Sequence, residues 1–68
     1  MSVYKVIELI GTSDKSWEEA ASGAIKTARE SLRDLRVAQV VEQDVDLDGD
    51  GLTYRVKLKV SFKYEGGA

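Results

Sequence analysis

Three aspartates alternate with other residues across Asp44-x-Asp46-x-Asp48-Gly49, and the same spacing repeats one step later as Asp46-x-Asp48-x-Asp50-Gly51. Carboxylates two residues apart, closed by glycine, form the first half of a calcium-binding loop. In such a loop alternate oxygens converge on a hard cation and the glycine permits a sharp turn. The bidentate Glu that should complete the loop at its twelfth position is Arg55 in one frame and Lys57 in the other, and no helix is expected on either side. An EF-hand is therefore excluded. Two readings stand. In the first, Glu42, Asp44, Asp46, Asp48 and Asp50 make a looser carboxylate site for Ca²⁺ or Mg²⁺, because four Asp in seven residues repel unless compensated. In the second they are a solvated hairpin tip compensated by Arg55 and Lys57.

Other chemistry is sparse. Gly11-Thr12-Ser13-Asp14-Lys15-Ser16 places a glycine and Lys-Ser ahead of a helix, yet it lacks the second Gly and the spacing of a phosphate loop. It reads as a strand-to-helix turn whose hydroxyls cap the helix. The sole Trp, Trp17, falls in phase with a buried helical stripe and reads as a packing residue rather than a ligand platform. Glu18 and Glu19 are neighbours on a helix and do not face each other. There is no His and no Cys, so imidazole catalysis and thiolate metal sites are absent. The chain reads as a binding or structural protein and not as an enzyme.

The elements that must position these residues follow from periodicity. Tyr54, Val56, Leu58, Val60, Phe62 and Tyr64 alternate with Arg55, Lys57, Lys59, Ser61 and Lys63. That period of two predicts a half-buried strand over 53–64. Val3–Ile10 is short, β-branched and ended by Gly11-Thr12-Ser13, which predicts a first strand. Ser16-Trp17-Glu18-Glu19 is a capping box, with Ser16 accepting from the Glu19 amide while the Glu19 side chain reaches back. Behind it Trp17, Ala20, Ala21, Ala24, Ile25, Ala28, Leu32 and Leu35 recur every three or four residues, which predicts a helix over 17–34. Its alanine-rich stripe implies a close approach to the sheet.

Val37–Leu47 reads as a further strand, with Val37, Gln39, Val41, Gln43, Val45 and Leu47 on one face and Ala38, Val40, Glu42, Asp44 and Asp46 on the other. Asp48-Gly49-Asp50-Gly51 supplies the turn. One register pairs Leu47 with Leu52 and sets Asp44 opposite Arg55 and Glu42 opposite Lys57. The other pairs Asp46 with Arg55, Asp44 with Lys57 and Glu42 with Lys59. Both match acids to bases. The tail, residues 65–68, reads as frayed.

The order is β-α-β-β in a single domain, residues 1–68, of the α+β class. Hydrophobic residues make up 43% and charged residues 32%, the balance of a globular protein. One helix cannot cover both faces of a three-stranded sheet, and there is no disulfide or zinc to compensate. At this size the usual remedy is assembly, so an obligate oligomer is expected. A net charge of −2 argues against nucleic acid as a partner. Lys5 and Glu8 interrupt the N-terminal apolar run, so it reads as neither signal peptide nor membrane span, and the chain as soluble and cytoplasmic.

VYKVIELIGTS, the capped helix from SWEEAA, and RVAQVVEQD followed by TYRVKLKVSFK together resemble the dodecin family over nearly the whole chain. The resemblance implies a three-stranded antiparallel sheet wrapped around one helix, assembled into a hollow homododecamer. It also implies a non-catalytic flavin store. In the flavin-binding members a Trp near the start of the second strand sandwiches the isoalloxazine ring, and a Gln on the third strand hydrogen-bonds it. Here those positions are Val37 and Arg55. Losing the aromatic face removes about 1–3 kcal/mol of stacking per ring face. In this respect the chain resembles the calcium-binding branch of the family, where that Trp is absent. The expected function is a shell that sequesters a small ligand or a divalent cation, calcium favoured and flavin doubtful. Flavin storage (FMN or riboflavin) and a purely structural or interaction particle are the alternatives.

Overall fold

A computed structural model describes residues 1–65, so for residues 66–68 the expected fraying lies outside the described residues. The period-two stretch forms β3 (Thr53–Lys63), the central strand of the sheet. Its Val56, Leu58 and Val60 are each 1% exposed, whereas Arg55 and Lys59 on the opposite face reach solvent. Antiparallel β1 (Tyr4–Ser13) and β2 (Leu35–Asp46) flank it in the order β1-β3-β2. The chain returns from β1 through α1 (Trp17–Ser31), which lies over β1 and β3. The expected α+β class and β-α-β-β order are both present.

The first strand runs three residues beyond the expected Ile10. Gly11, Thr12 and Ser13 pair with Val56, Arg55 and Tyr54 rather than ending the strand. The reason is tertiary: α1 crosses directly above Gly11, whose missing side chain admits the helix. A Cβ at Gly11 would lie 2.1 Å from the Ala20 carbonyl oxygen and 2.9 Å from the Ala24 Cβ. The alanine stripe does what its residue types imply, with Ala20 buried on Val56, Leu58 and Val60, Ala24 packed against that cluster, and Ala28 buried further along the helix.

The helix starts at Trp17 as expected, and the Ser16 hydroxyl accepts from the Glu19 amide at 3.0 Å. The reciprocal half of the capping box is not formed from Glu19. Instead the Ser13 hydroxyl accepts from the Ser16 amide at 3.4 Å and from the Lys15 amide at 3.0 Å. A strand that continues to Ser13 delivers a nearer acceptor than a four-bond glutamate side chain.

At its other end the helix stops at Ser31, not 34. Leu32 is already extended, with its amide donating to the Ala28 carbonyl, and Asp34 is left-handed at φ 58°. That reversal sends Leu35 into β2 opposite Phe62. Leu35 matched the helical spacing because an apolar residue suits either element at that point.

The registers also correct the second strand. Between Asp46 and Glu42 the pairing sets Asp44 opposite Arg55 and Glu42 opposite Lys57, the first of the two expected registers. Bulges then fall at Arg36 and Val41. Each inserts one unpaired residue and reverses the alternation beyond it. Leu35, Ala38, Val40, Gln43 and Val45 therefore oppose the buried column of β3. Val37 and Gln39 join Glu42, Asp44 and Asp46 on the outer face, not the face opposite them.

The subunit is long, 49 × 20 × 17 Å, because the β2–β3 hairpin projects beyond the helix. Its radius of gyration is 13.8 Å, against about 11 Å for a compact chain of this length. It exposes 5215 Å², against roughly 4,200 Å² for a globular protein of this mass. Tyr4, Val6, Ile10, Val37, Val40 and Val41 are among the exposed large apolar residues. Among the described residues no helix is long and apolar enough to cross a membrane.

Replacing Gly11 by alanine drives a methyl into the backbone of α1, which has no flexible side chain to move aside. Gly11→Ala is expected to destabilise by about 1–3 kcal/mol, the usual cost of overpacking. A thermal melt that matches the parent would show that the helix can lift off the strand freely.

Candidate functional site

The outer face of the sheet gathers the charged residues. Down its centre run Arg55, Lys57 and Lys59 of β3, opposite Asp44, Glu42 and Gln39 of β2 and opposite Thr12, Ile10 and Glu8 of β1. One ion pair is formed among the described residues. Arg55 Nε donates to Asp44 Oδ1 at 2.6 Å and Nη2 donates to Oδ2 at 2.7 Å, a two-pronged contact that occupies both carboxylate oxygens. Both side chains are nearly half exposed.

The hydrogen bonds from Arg55 hold the Asp44 carboxyl below its ordinary value. Partial loss of hydration opposes this, and the guanidinium charge adds to it. Arg55 is raised in turn, first by the hydrogen bond and then by the charge of Asp44, with smaller help from Asp46 and Glu42. Ile10, Glu42, Asp44, Arg55 and Lys57 line a shallow recess of about 70 Å³ around the pair.

Asp44 is also held from the opposite side of the sheet. The Trp17 indole Nε1 donates to the Asp44 carbonyl at 3.1 Å, and its ring meets Tyr54 edge-on at 5.2 Å and 79°. Trp17 is thus the packing residue that its phase implies, with a polar contact that its spacing did not disclose. Trp17 and Asp44 stand 27 positions apart in the chain, which leaves no local signal of that bond. The Ser13 cap, by contrast, is local, and it fits the reading of Gly11–Ser16 as a turn whose hydroxyls cap the helix.

The candidate metal residues divide into two groups. Glu42, Asp44 and Asp46 stand in one column on the outer face of β2, and Asp48 and Asp50 lie in the tip. Asp46 Oδ1 accepts from the Asp48 amide at 2.9 Å, and Gly49 takes φ 86°, so the tip is shaped by its own Asp and Gly. Among the described residues no three acids converge closely enough to hold an ion. Within one chain Asp44 is committed to Arg55.

Val37 and Arg55 share the outer face, but Val37 pairs with Ser61 and Arg55 with Asp44. Six residues of β3 separate those pairings, roughly 20 Å of extended strand. One ring system cannot meet both positions of the same chain, so a ligand that uses both must lie between two copies. Val37 is 61% exposed and aliphatic.

The Asp44–Arg55 pair makes a prediction with a definite sign. A carboxyl depressed by folding contributes stability above its unfolded value and loses it as pH falls through its folded value. The parent should melt above Asp44→Asn at neutral pH. That gap should stay full down to the ordinary carboxyl value of 3.8 and close below it. A gap that persists undiminished in strong acid would remove the ion pair as its cause.

The Dodecin family profile matches residues 3–65. Among curated proteins the chain is 61% identical over 64 residues to calcium dodecin of Mycobacterium tuberculosis, covering 93% of this chain and 90% of that protein. It is 39% identical to dodecin of Thermus thermophilus over 93% of each chain. The crystal structure of the Mycobacterium tuberculosis protein, described as a calcium-chelating antigen with a novel calcium-binding site, superposes with a TM-score of 0.87. That match is at 56% identity and covers 98% of this chain and 97% of the other. Dodecin from Streptomyces coelicolor superposes at 0.89 with 27% identity, covering 97% and 96%. With the family profile spanning both the central strand and the Asp44–Arg55 face, this chain is a member of the dodecin family.

Proposed function

We propose that the chain builds a non-catalytic, hollow homododecameric shell that binds a divalent cation, calcium before magnesium, and holds flavin weakly. The observation that carries this reading is the 61% identity, across 93% of the chain, to a calcium dodecin. The geometry supports it from two directions. An elongated subunit with much apolar surface bare favours assembly, since burial of such surface is the dominant driving force of association. The outward column of Glu42, Asp44 and Asp46, with Asp48 and Asp50 beyond it, supplies the hard oxygen ligands that calcium takes. Because these acids do not converge within one chain, the ion site is completed by carboxylates or carbonyls of a second copy.

Flavin is disfavoured on chemistry. Valine at position 37 offers no aromatic face, and Trp17 cannot replace it because its ring lies on the helix side of the sheet against Tyr54. Arg55 already gives two donors to Asp44 and brings a positive charge where a neutral amide would read a ring edge.

Light scattering at micromolar concentration should report a particle near twelve times 7.5 kDa. A folded monomer would defeat the shell. For the cation, EDTA should lower the melting temperature and Ca²⁺ should restore it. An ion that binds only the native state adds about 2.7 kcal/mol per site at a hundred times its dissociation constant. No shift at millimolar calcium, with flat calorimetry, would leave the acids as a hairpin tip alone.

For flavin, riboflavin and FMN titrations should show little quenching in the parent and a gain in Val37→Trp. Submicromolar binding by the unmodified protein would restore flavin storage as the function.

A further inference from the structure

The charges of this subunit are separated along its long axis. The end that carries the hairpin tip holds Asp14, Glu18 and Glu19 beside Asp44, Asp46, Asp48 and Asp50, with Lys15 and Arg55 as the only bases. That is seven acids against two bases. The opposite end holds Lys5, Lys26, Arg29, Arg33, Arg36 and Lys63 against Glu30, Asp34 and Glu65, six bases against three acids. Between them Glu8 faces Lys59 and Glu42 faces Lys57.

Each end also presents apolar surface suited to the other. At the acidic end Leu47 and Leu52, which bracket the tip, are 69% and 50% exposed. At the basic end a recess of about 110 Å³ opens between α1 and the start of β2, with Arg29 and Arg36 on its rim and Ile25, Leu35 and Val60 in its wall. Neither arginine forms an ion pair among the described residues, and neither do Asp46, Asp48 and Asp50.

We propose that the acidic, leucine-flanked hairpin tip of one copy docks into the Arg29–Arg36 recess of a second copy. The contact rests on the assembly proposed above and specifies which surfaces meet within it. It must join different copies. The tip follows Asp46, opposite Thr53, and the recess lies beside Leu35, opposite Phe62. Nine residues of extended β3 hold them roughly 30 Å apart in one chain. The occupant is a second copy because complementary charge and complementary apolar area occur together, at surfaces that every copy carries once. Opposite potentials on such patches steer the encounter and fix its register. A contact between two different patches of identical chains propagates from copy to copy and closes when the rotation permits, as a shell requires.

The test is light scattering of the full chain and its variants across a series of protein and salt concentrations, with a thermal melt to confirm folding. Arg29→Glu with Arg36→Glu should raise the concentration for half-assembly about tenfold or more, since like charges would then meet. Asp48→Lys with Asp50→Lys, confined to a solvent-exposed tip, should weaken assembly similarly without disturbing the fold. Combining all four changes should restore the parent particle, and higher salt should weaken the parent and the fourfold swap alike.

Reversals at both ends that leave particle mass and salt response unchanged would overturn the contact while leaving the shell intact. Loss of assembly without rescue in the fourfold variant would overturn it as well. An intact particle that loses only inorganic phosphate binding in the arginine double variant would assign the recess to a free anion instead. A monomeric parent would be a different result, the failure of the shell itself and of any contact within it.

Discussion

The closeness of α1 to the sheet is the constraint from which the rest of this subunit follows. Ala20 and Ala24 are small enough for the helix backbone to descend onto Val56, Leu58 and Val60, and Gly11 offers nothing to obstruct it. Beneath the helix the short central column of β3, Val56, Leu58 and Val60, is the most deeply buried part of the strand. The same closeness ties the helix to β1 and β3. Over β2 the helix meets little more than Leu35 at one end and the Asp44 carbonyl at the other, and Val40 stays half exposed although it points toward the core side. A wider helix with Leu or Phe in the alanine positions would stand further off and spread across all three strands. The bare surface of β2 is thus a consequence of the small-residue packing and not an independent feature.

The edge position of β2 has a second consequence. Its neighbours are β3 on one side and none of its own chain on the other, so it tolerates two bulges that a central strand would not. The bulge at Val41 moves Glu42, Asp44 and Asp46 to the outer face, where β3 presents its bases. Without that extra residue the acids beyond it and the outward Val37 could not share a face. The candidate site is therefore built by an irregularity, and within it Asp44 is held at its carboxylate by the Arg55 guanidinium and at its backbone carbonyl by the Trp17 indole. A carboxylate held so is preorganised as an anion, but both its oxygens already have a partner. Any cation brought to this column must either leave Asp44 to Arg55 and use its neighbours or displace the guanidinium from it.

Much of this was legible in residue order. The alternation of β3 admits only a half-buried strand, and the cap at Ser16 placed the helix start without reference to any other element. The Asp-Gly pairs located the turn, and the acid–base complementarity narrowed the hairpin to two registers, of which one is realised. Residue types also located the close helix–sheet contact. Long segments with one strong period carry their own structure, because their local preference and their burial agree.

What the sequence alone determined, then, is the set of elements, their order and the chemistry available on each face. Strand and helix periods, caps and turn glycines are local physics, readable within a few residues. Only the tertiary structure decided where those elements end and which faces meet. Gly11–Ser13 joined β1 because the helix crosses there and β3 was free to pair. Leu35 left the helical pattern because Asp34 could adopt a left-handed turn and Phe62 needed a partner. The bulges that bring the acids to one face arise from fitting a longer strand to a shorter one. The separation of Val37 from Arg55, and the hold of Trp17 on Asp44, depend on residues distant in sequence, and no periodicity encodes a distance of that kind.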